Sequence, residues 1–376
     1  MTIVSYRFYL EKGVHQMDKK ILSAAIIAVM AAPVAAVAEV TLYGQVHMSA
    51  GAVDDSYDDS TDALLYGEDN MQVRSHASRL GVKGSEDLGG GLKANFMLEY
   101  GVNPDSNDPN DDGDDTSGMS RRNQWVGLSG DSWGEVRVGR HDTPLKWAQG
   151  SFDQFNDTDA DIENTTLGEQ RIDNVLAYIS PSFSGFSFIG AMAPGEATNC
   201  DENDLCYDGV VNNIASDKTG IADIYSLAGI YSNGPFFASL AYNDFDAIQD
   251  SGTLDNLTRA VATYQFGDLQ VGGLYEAGEF DGNNSDTGVW GLSGKYSFGA
   301  VDLKGQYMDG TYENGLGLPV NPADQEVTQW TLGADYNFSK RTVAYFMYTS
   351  AEDDNNSGLR GDRDYDFTGV GMIHKF

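Results

Sequence analysis

Residues 290–301 read WGLSGKYSFGAV. Trp290, Leu292, Gly294, Tyr296 and Phe298 alternate with Ser293, Lys295 and Ser297. Successive side chains of a strand point to opposite faces, so this stretch predicts a strand with one apolar and one polar face. Two aromatics end the apolar face, a tight turn follows, and a new strand starts at Val301. The device recurs as YQFGDL (264–269) and YNFSKR (336–341).

The same period of two runs through the chain. Val40, Leu42, Gly44, Val46 and Met48 oppose Thr41, Tyr43, Gln45 and His47. Leu80, Val82 and Gly84 oppose Arg79, Gly81 and Lys83. Leu92, Ala94, Phe96, Leu98 and Tyr100 oppose Lys93, Asn95, Met97 and Glu99. Trp330, Leu332, Ala334, Tyr336 and Phe338 oppose Gln329, Thr331, Asp335 and Asn337. In the last segment Val370, Met372, His374 and Phe376 share one face. A soluble sandwich would also alternate, so the period alone does not decide. The connections do. The short turns carry paired aromatics, as a membrane-interface girdle requires. The others are long and acidic: NPDSNDPNDDGDDTS (103–117), residues 198–218 and residues 352–366. Short turns at one end and long loops at the other mark an outer-membrane barrel. About sixteen strands fit after Ala38, an even number, as such barrels require. The expected fold is all-β, a transmembrane antiparallel β-barrel of 16 strands, and barrels of this size leave an aqueous channel.

Composition agrees. Asp+Glu number 57 against 23 Lys+Arg, a formal charge of −34. Such a surface repels nucleic acid and favours cations. Hydrophobic residues at 41% and aromatics at 11% argue for a folded chain with acidic loops rather than disorder. Gly is abundant at 44 and Pro sparse at 9, which suits many strands and glycine turns. Beyond the N-terminal region no apolar run is long enough for a transmembrane helix.

Residues 1–38 are expected to be an N-terminal extension plus a cleaved signal peptide, with Met17 as the true start. Met17-Asp18-Lys19-Lys20 is the charged region, Ile21–Ala38 the apolar run, and Ala36-Val37-Ala38 the cleavage site. Residues 39–376 form the barrel. Removing residues 1–38 takes away four basic and two acidic residues, leaving (23 − 4) − (57 − 2) = −36. Export implies an oxidising compartment, where Cys200 and Cys206 are expected to form a local disulfide. Two thiols alone do not complete a metal site.

Catalytic-looking matches fail on context. GDSWG (130–134) satisfies the nucleophile-elbow pattern, but strands flank it on both sides where a helix must follow. GGGLK (89–93) also lacks a following helix to cradle phosphate. DPNDDG (108–113) starts like a calcium loop, yet its twelfth position is Met119 rather than Glu. His47, His76, His141 and His374 show no metal spacing. No enzyme activity, cofactor or metal is expected.

Several segments resemble the Gram-negative general porins, trimeric barrels of sixteen strands. They are VTLYGQ (40–45), SRLGVKGSEDLGGGLKANFMLE (78–99), RNQWVGLSGDSWGEVRVGRHDTP (122–144), RIDNVLAYISPSFSGF (171–186) and VGMIHKF (370–376). The resemblance implies an outer-membrane location, a homotrimer, lipid and lipopolysaccharide around the barrel, and insertion by the barrel-assembly machinery with Phe376 as the C-terminal signal. It also implies that the long loop after strand 5 folds inward and constricts the pore. Its acidic residues would then face a basic wall made by Arg79, Arg122 and Arg171, with Lys83 in phase with Arg79. Tyr43 and Gln45 would line the lumen. Gln45 stands where relatives can hold a basic residue, which weakens the positive side.

That loop, His141–Gln170, holds seven acids (Asp142, Asp153, Asp157, Asp159, Asp161, Glu163 and Glu169) and one lysine, Lys146. Charge runs are usually solvated surface features. Here Leu145, Trp147, Phe152, Phe155 and Ile162 need an apolar surface, which favours inward folding. Asp153, Asp157, Asp159, Asp161 and Glu163 are the candidates for the narrowest plane. The expected function is passive diffusion of ions and small hydrophilic solutes, with cations preferred. The alternatives are a sugar- or nutrient-specific channel, an adhesin using its acidic loops, or a barrel enzyme. Block of current by a solute would mark the first, and absence of conductance the other two.

Overall fold

The computed structural model describes residues 39–57, 70–105, 119–194, 221–245, 254–280, 285–313, 324–355 and 363–376. The N-terminal segment 1–38 and the two cysteines lie outside the described residues.

The strands, in chain order, are β1 (Glu39–Tyr57), β2 in two pieces (Asn70–Ser75 and Arg79–Gly89), β3 (Leu92–Val102), β4 (Met119–Gly130), β5 (Gly134–Asp142), β6 (Arg171–Ile179), β7 (Phe186–Ala193) and β8 (Ile224–Asn233). They continue with β9 (Phe236–Asp244), β10 (Leu254–Phe266), β11 (Leu269–Phe280), β12 (Ser285–Phe298), β13 (Val301–Tyr312), β14 (Gln325–Asn337), β15 (Thr342–Asn355) and β16 (Arg363–Lys375). The sheet has 17 hydrogen-bonded segments, and both pieces of β2 lie on β1, so the barrel has 17 − 1 = 16 strands. Every neighbour is antiparallel, and β16 pairs back onto β1 from Gln45↔Lys375 to Tyr57↔Arg363. At the seam the Phe376 N–H donates to Gly44 O at 3.1 Å, and the Gly44 N–H to Phe376 O at 3.2 Å. The sheet therefore has no free edge, the condition for strands to cross lipid.

The interruption in β2 is local. Ala77 has φ +41°, and the Ser78 hydroxyl takes over the missing ladder contacts. It accepts from the His47 N–H at 2.9 Å and donates to His47 O at 3.1 Å. Arg74 keeps the inward phase of Asn70 and Gln72, and His76, at the break, reaches Ser49 Oγ at 2.7 Å.

The alternation resolves into two faces. Leu42, Leu240, Leu292 and Leu332 are about 60% exposed, while Arg259, Glu276, Thr331 and Thr349 are at most 1% exposed. Apolar outside and polar inside is the arrangement of a barrel in lipid. The aromatic pairs read from the sequence sit at the short-turn end, with ring centroids 4.2 Å apart in Tyr264/Phe266, 6.1 Å in Tyr296/Phe298 and 4.8 Å in Tyr336/Phe338.

Charge on the outer face tests this orientation. Leu332→Arg, near the middle of the apolar band, is expected to lower unfolding stability in bilayers by about 2–4 kcal/mol. A loss well below about 1 kcal/mol would place that face out of the hydrocarbon.

Candidate functional site

The segment between β5 and β6 begins with Thr143, whose hydroxyl caps a single helical turn, α1 (Pro144–Trp147), by accepting from the Lys146 N–H at 3.1 Å. Pro144 stands at the first helical position, where its missing N–H has no cost. A 3-10 turn at Ile162–Asn164 is capped in the same way by Asp161. Between them the chain packs on the inner face of β6–β16 and on β1. Leu145 and Ala148 join Ile172, Val175, Ala228, Ala241 and Leu257. Phe152 and Ile162 join Val261, Leu274, Val289 and Met308. Phe155 and Ala160 join Val53, Tyr345, Met347 and Phe367. Phe152, Leu145 and Ile162 are fully buried and Phe155 nearly so.

Glycines in the wall make room for these rings. A Cβ on Gly291 would stand 2.9 Å from the Phe152 ring, and one on Gly333 would stand 2.7 Å from Phe155. The loop also bonds to strands across the barrel. Ser239 Oγ donates to Ala148 O at 2.5 Å, the Gln154 N–H to Gln306 Oε1 at 2.9 Å, and the Leu167 N–H to Glu276 Oε1 at 2.7 Å.

Its strongest tie is Arg259 on β10. This guanidinium is wholly buried and meets Glu276 on β11 at 2.6 Å and Glu169 of the loop at 2.5 Å. Arg259 and Glu276 are direct cross-strand partners. A buried charge is tolerable only when paired and hydrogen-bonded, and here one cation holds one carboxylate of the wall and one of the loop.

The loop leaves an opening of about 630 Å³ beside the remaining wall, bounded by Tyr43, Gln45, Arg79, Glu99, Arg122 and Arg171 on the barrel and by Lys146, Gln149, Asn156 and Asp157 on the loop. Arg79 Nη1 lies 3.2 Å from Asp157. Arg122 Nε donates to Glu99 at 2.8 Å, and Arg171 pairs with Asp142 at 2.8 Å. Tyr43 donates to Glu99 at 3.0 Å, while Gln45 donates to Ala77 O at 3.2 Å. Lys83 lies 4.9 Å over the Tyr43 ring and is not among the residues bounding the opening.

The loop carboxylates are dispersed, which corrects the expectation of an acidic bank facing Arg79, Arg122 and Arg171. Of Asp153, Asp157, Asp159, Asp161 and Glu163, only Asp157 reaches that set. Asp159 docks instead on Arg74, with Tyr365 donating to it at 3.2 Å, while His76 Nε2 stands 3.4 Å away and is hydrogen-bonded to Ser49 Oγ at 2.7 Å. Asp153 accepts the Phe155 and Ile162 N–H groups at 2.9 and 3.3 Å. Asp161 accepts the Asp157 and Glu163 N–H groups at 2.6 and 2.9 Å. These two carboxylates fold the loop on itself because turn backbones need acceptors where no strand partner exists. Burial pushes Asp153 up to about 7 and Asp161 well above the usual carboxylate range. Burial also raises Glu163, which faces the outer side of the loop. A raised carboxylate favours the folded loop only while protonated, so Asp153 opposes docking as pH rises through about 7.

Arg74, Glu99, Arg259, Glu276 and Lys375 were not among the candidates from sequence. The signal for two of them was present: the YQFGDL turn pairs Phe266 with Leu269, and counting back along that hairpin pairs Arg259 with Glu276. Arg259→Ala is expected to cost about 3–5 kcal/mol by leaving buried carboxylates unpaired. A denaturation midpoint unchanged from the parent would contradict this.

Comparison with known proteins agrees with this geometry. The Gram-negative porin family profile matches residues 23–356. An outer membrane porin protein of Bordetella pertussis is 28% identical, over 96% of this chain and 100% of its own length. Major outer membrane protein P.IB of Neisseria gonorrhoeae is 31% identical, over 87% and 91%. Among solved structures, an anion-selective porin from Comamonas acidovorans superposes with a TM-score of 0.62 at 22% identity, over 90% of this chain and all of its own. The trimer form of OmpT from Vibrio cholerae superposes with a TM-score of 0.60 at 17% identity, over 90% and 99%. With its closed barrel, apolar exterior and polar lumen, this chain belongs to the Gram-negative porin family and resides in the outer membrane.

Proposed function

We propose that the protein is a water-filled channel through which ions and small hydrophilic solutes diffuse passively. The observation that carries this reading is the opening left between the loop and the β1–β6 wall, lined by charged and amide side chains inside a closed barrel. Solutes cross it by exchanging water contacts for these polar groups, and pore width and lining charge set the selection. Arg79, Arg122 and Arg171, with Asp157 opposite, form the narrow passage. Assembly as a homotrimer follows from the resemblance and from the trimeric form of OmpT.

Cation preference is part of this proposal, and its seat is the outer mouth rather than the narrow passage. Around the passage Arg79, Arg122, Lys146, Arg171 and Lys375 outnumber Glu99, Asp142 and Asp157. Farther out, Asp55, Asp159, Glu163, Glu352 and Asp353 outnumber Arg74 and Arg363. The sequence joining β3 to β4 is itself acidic, with six aspartates and no basic residue within 103–117. A wide acidic vestibule raises local cation concentration, whereas a cationic neck opposes it.

The two regions respond differently to salt. Screening acts over about 10 Å at 0.1 M and about 3 Å at 1 M, so the vestibule loses its influence first. Reversal potentials in planar bilayers are expected to show cation preference in dilute salt that shrinks as salt rises. Replacing Arg79, Arg122 and Arg171 with Ala is expected to strengthen that preference and raise conductance. Anion preference in dilute salt would overturn the selectivity, and absence of conductance would overturn the channel.

A further inference from the structure

Beside the opening, β4, β5 and α1 bring together a cluster of which Trp147 alone lines the passage. Arg137 on β5 lies over the Trp125 ring of β4 at 4.0 Å and over the Trp147 ring of α1 at 5.4 Å. Its Nη2 donates to Glu135 at 2.9 Å. Its Nη1 donates to His141 Nε2 at 2.9 Å. His141 packs against Trp147 with ring centroids 4.7 Å apart and the ring planes tilted by 59°.

The hydrogen bonds assign the state of His141. A guanidinium can only donate, so Nε2 accepts. A carbonyl can only accept, so Nδ1, 2.6 Å from Asp142 O, carries the proton. The imidazole in this arrangement is neutral. A second proton would set an N–H against the Arg137 N–H and place two cations side by side.

We propose that Arg137 is a positioning residue for the pore: it clamps Trp147, and with it the start of the loop, only while His141 is neutral. This rests on the channel reading above. Lys146 and Gln149, on either side of the clamped turn, both line the opening, so release of Trp147 moves the pore lining itself. Charged groups around His141 come from each packed element: Glu135, Arg137 and Asp142 on β5, Arg171 on β6 and Lys146 on α1, while β4 contributes the neutral Trp125 and Asn123. Asp142 is already held by Arg171 at 2.8 Å and by Asn123 at 2.7 Å. Glu135 is held by Arg137 and by Asn95 at 3.2 Å. Neither carboxylate has a hydrogen bond to the imidazole nitrogens, whose two partners are Arg137 and the Asp142 carbonyl.

The test is single-channel recording of the full-length protein from about pH 8 to about pH 4, the range in which histidine charges. The parent is expected to pass steady current at neutral pH and to develop fluctuations between sublevels on acidification. His141→Gln keeps an acceptor for Arg137 and never charges, so it is expected to lose the acid transition while keeping the parent's neutral conductance. Arg137→Gln is expected to fluctuate already at neutral pH, with little further change in acid. Asp153 titrates in the parent and in His141→Gln alike, so it cancels from their comparison. If His141→Gln does not assemble, His141→Asn is read by the same criterion. A parent current indifferent to pH, an acid transition retained in the neutral variant, or a quiet Arg137→Gln channel overturns the clamp. A chain that never conducts overturns the channel reading instead.

Discussion

Every backbone N–H and C=O inside hydrocarbon must find a partner within the protein, because lipid offers none. This constraint organises the molecule. It closes the sheet through β16 and β1, down to the paired hydrogen bonds of Gly44 and Phe376 at the seam. Closure fixes the two faces of each strand, and the surrounding lipid then demands apolar side chains outside. The interior is left free to be polar, and a barrel of sixteen strands is wide enough to hold both a folded loop and water.

The interior is not uniform. Along β6–β16 it carries apolar patches, small residues and the buried Arg259–Glu276 pair, and the loop covers these. Along β1–β6 it carries Tyr43, Arg79, Glu99, Arg122 and Arg171, and these border the opening that the loop leaves. Position and opening therefore have one cause: the loop settles where its own Leu145, Phe152, Phe155 and Ile162 are matched. Buried apolar contact supplies most of that attachment, at about 25 cal/mol per Å². The ion pairs with Arg74, Arg79 and Arg259 select the register, since a displaced carboxylate would leave a buried charge unpaired.

Much of this was legible in the residues because lipid enforces a period of two over the whole barrel. The faces of β1, β3, β12, β14 and β16, the paired aromatics and the strand count all followed from that period. The partners of the loop did not. Four of its seven acids are consumed by ion pairs: Asp142 with Arg171, Asp157 with Arg79, Asp159 with Arg74, and Glu169 with Arg259. Asp153 and Asp161 serve their own backbone, so a seven-to-one charge count overstates the field that the loop presents. Contacts between a loop and strands a hundred residues away depend on closure, which local pattern does not encode. The break in β2 was hidden for a different reason: Ala77 adopts a positive φ that neither Gly nor Pro announces.

The central claim is that ions pass between the loop and the β1–β6 wall. Its most direct measurement is thiol modification during current recording, with Cys200 and Cys206 replaced by Ser and one cysteine introduced at a time. Asn123→Cys, on the wall of the opening, is expected to lose current when a bulky charged thiol reagent is added. Leu332→Cys, on the outer face of β14, is expected to keep it. Current that is indifferent to modification at position 123, or that falls equally at both positions, would contradict a passage along this wall.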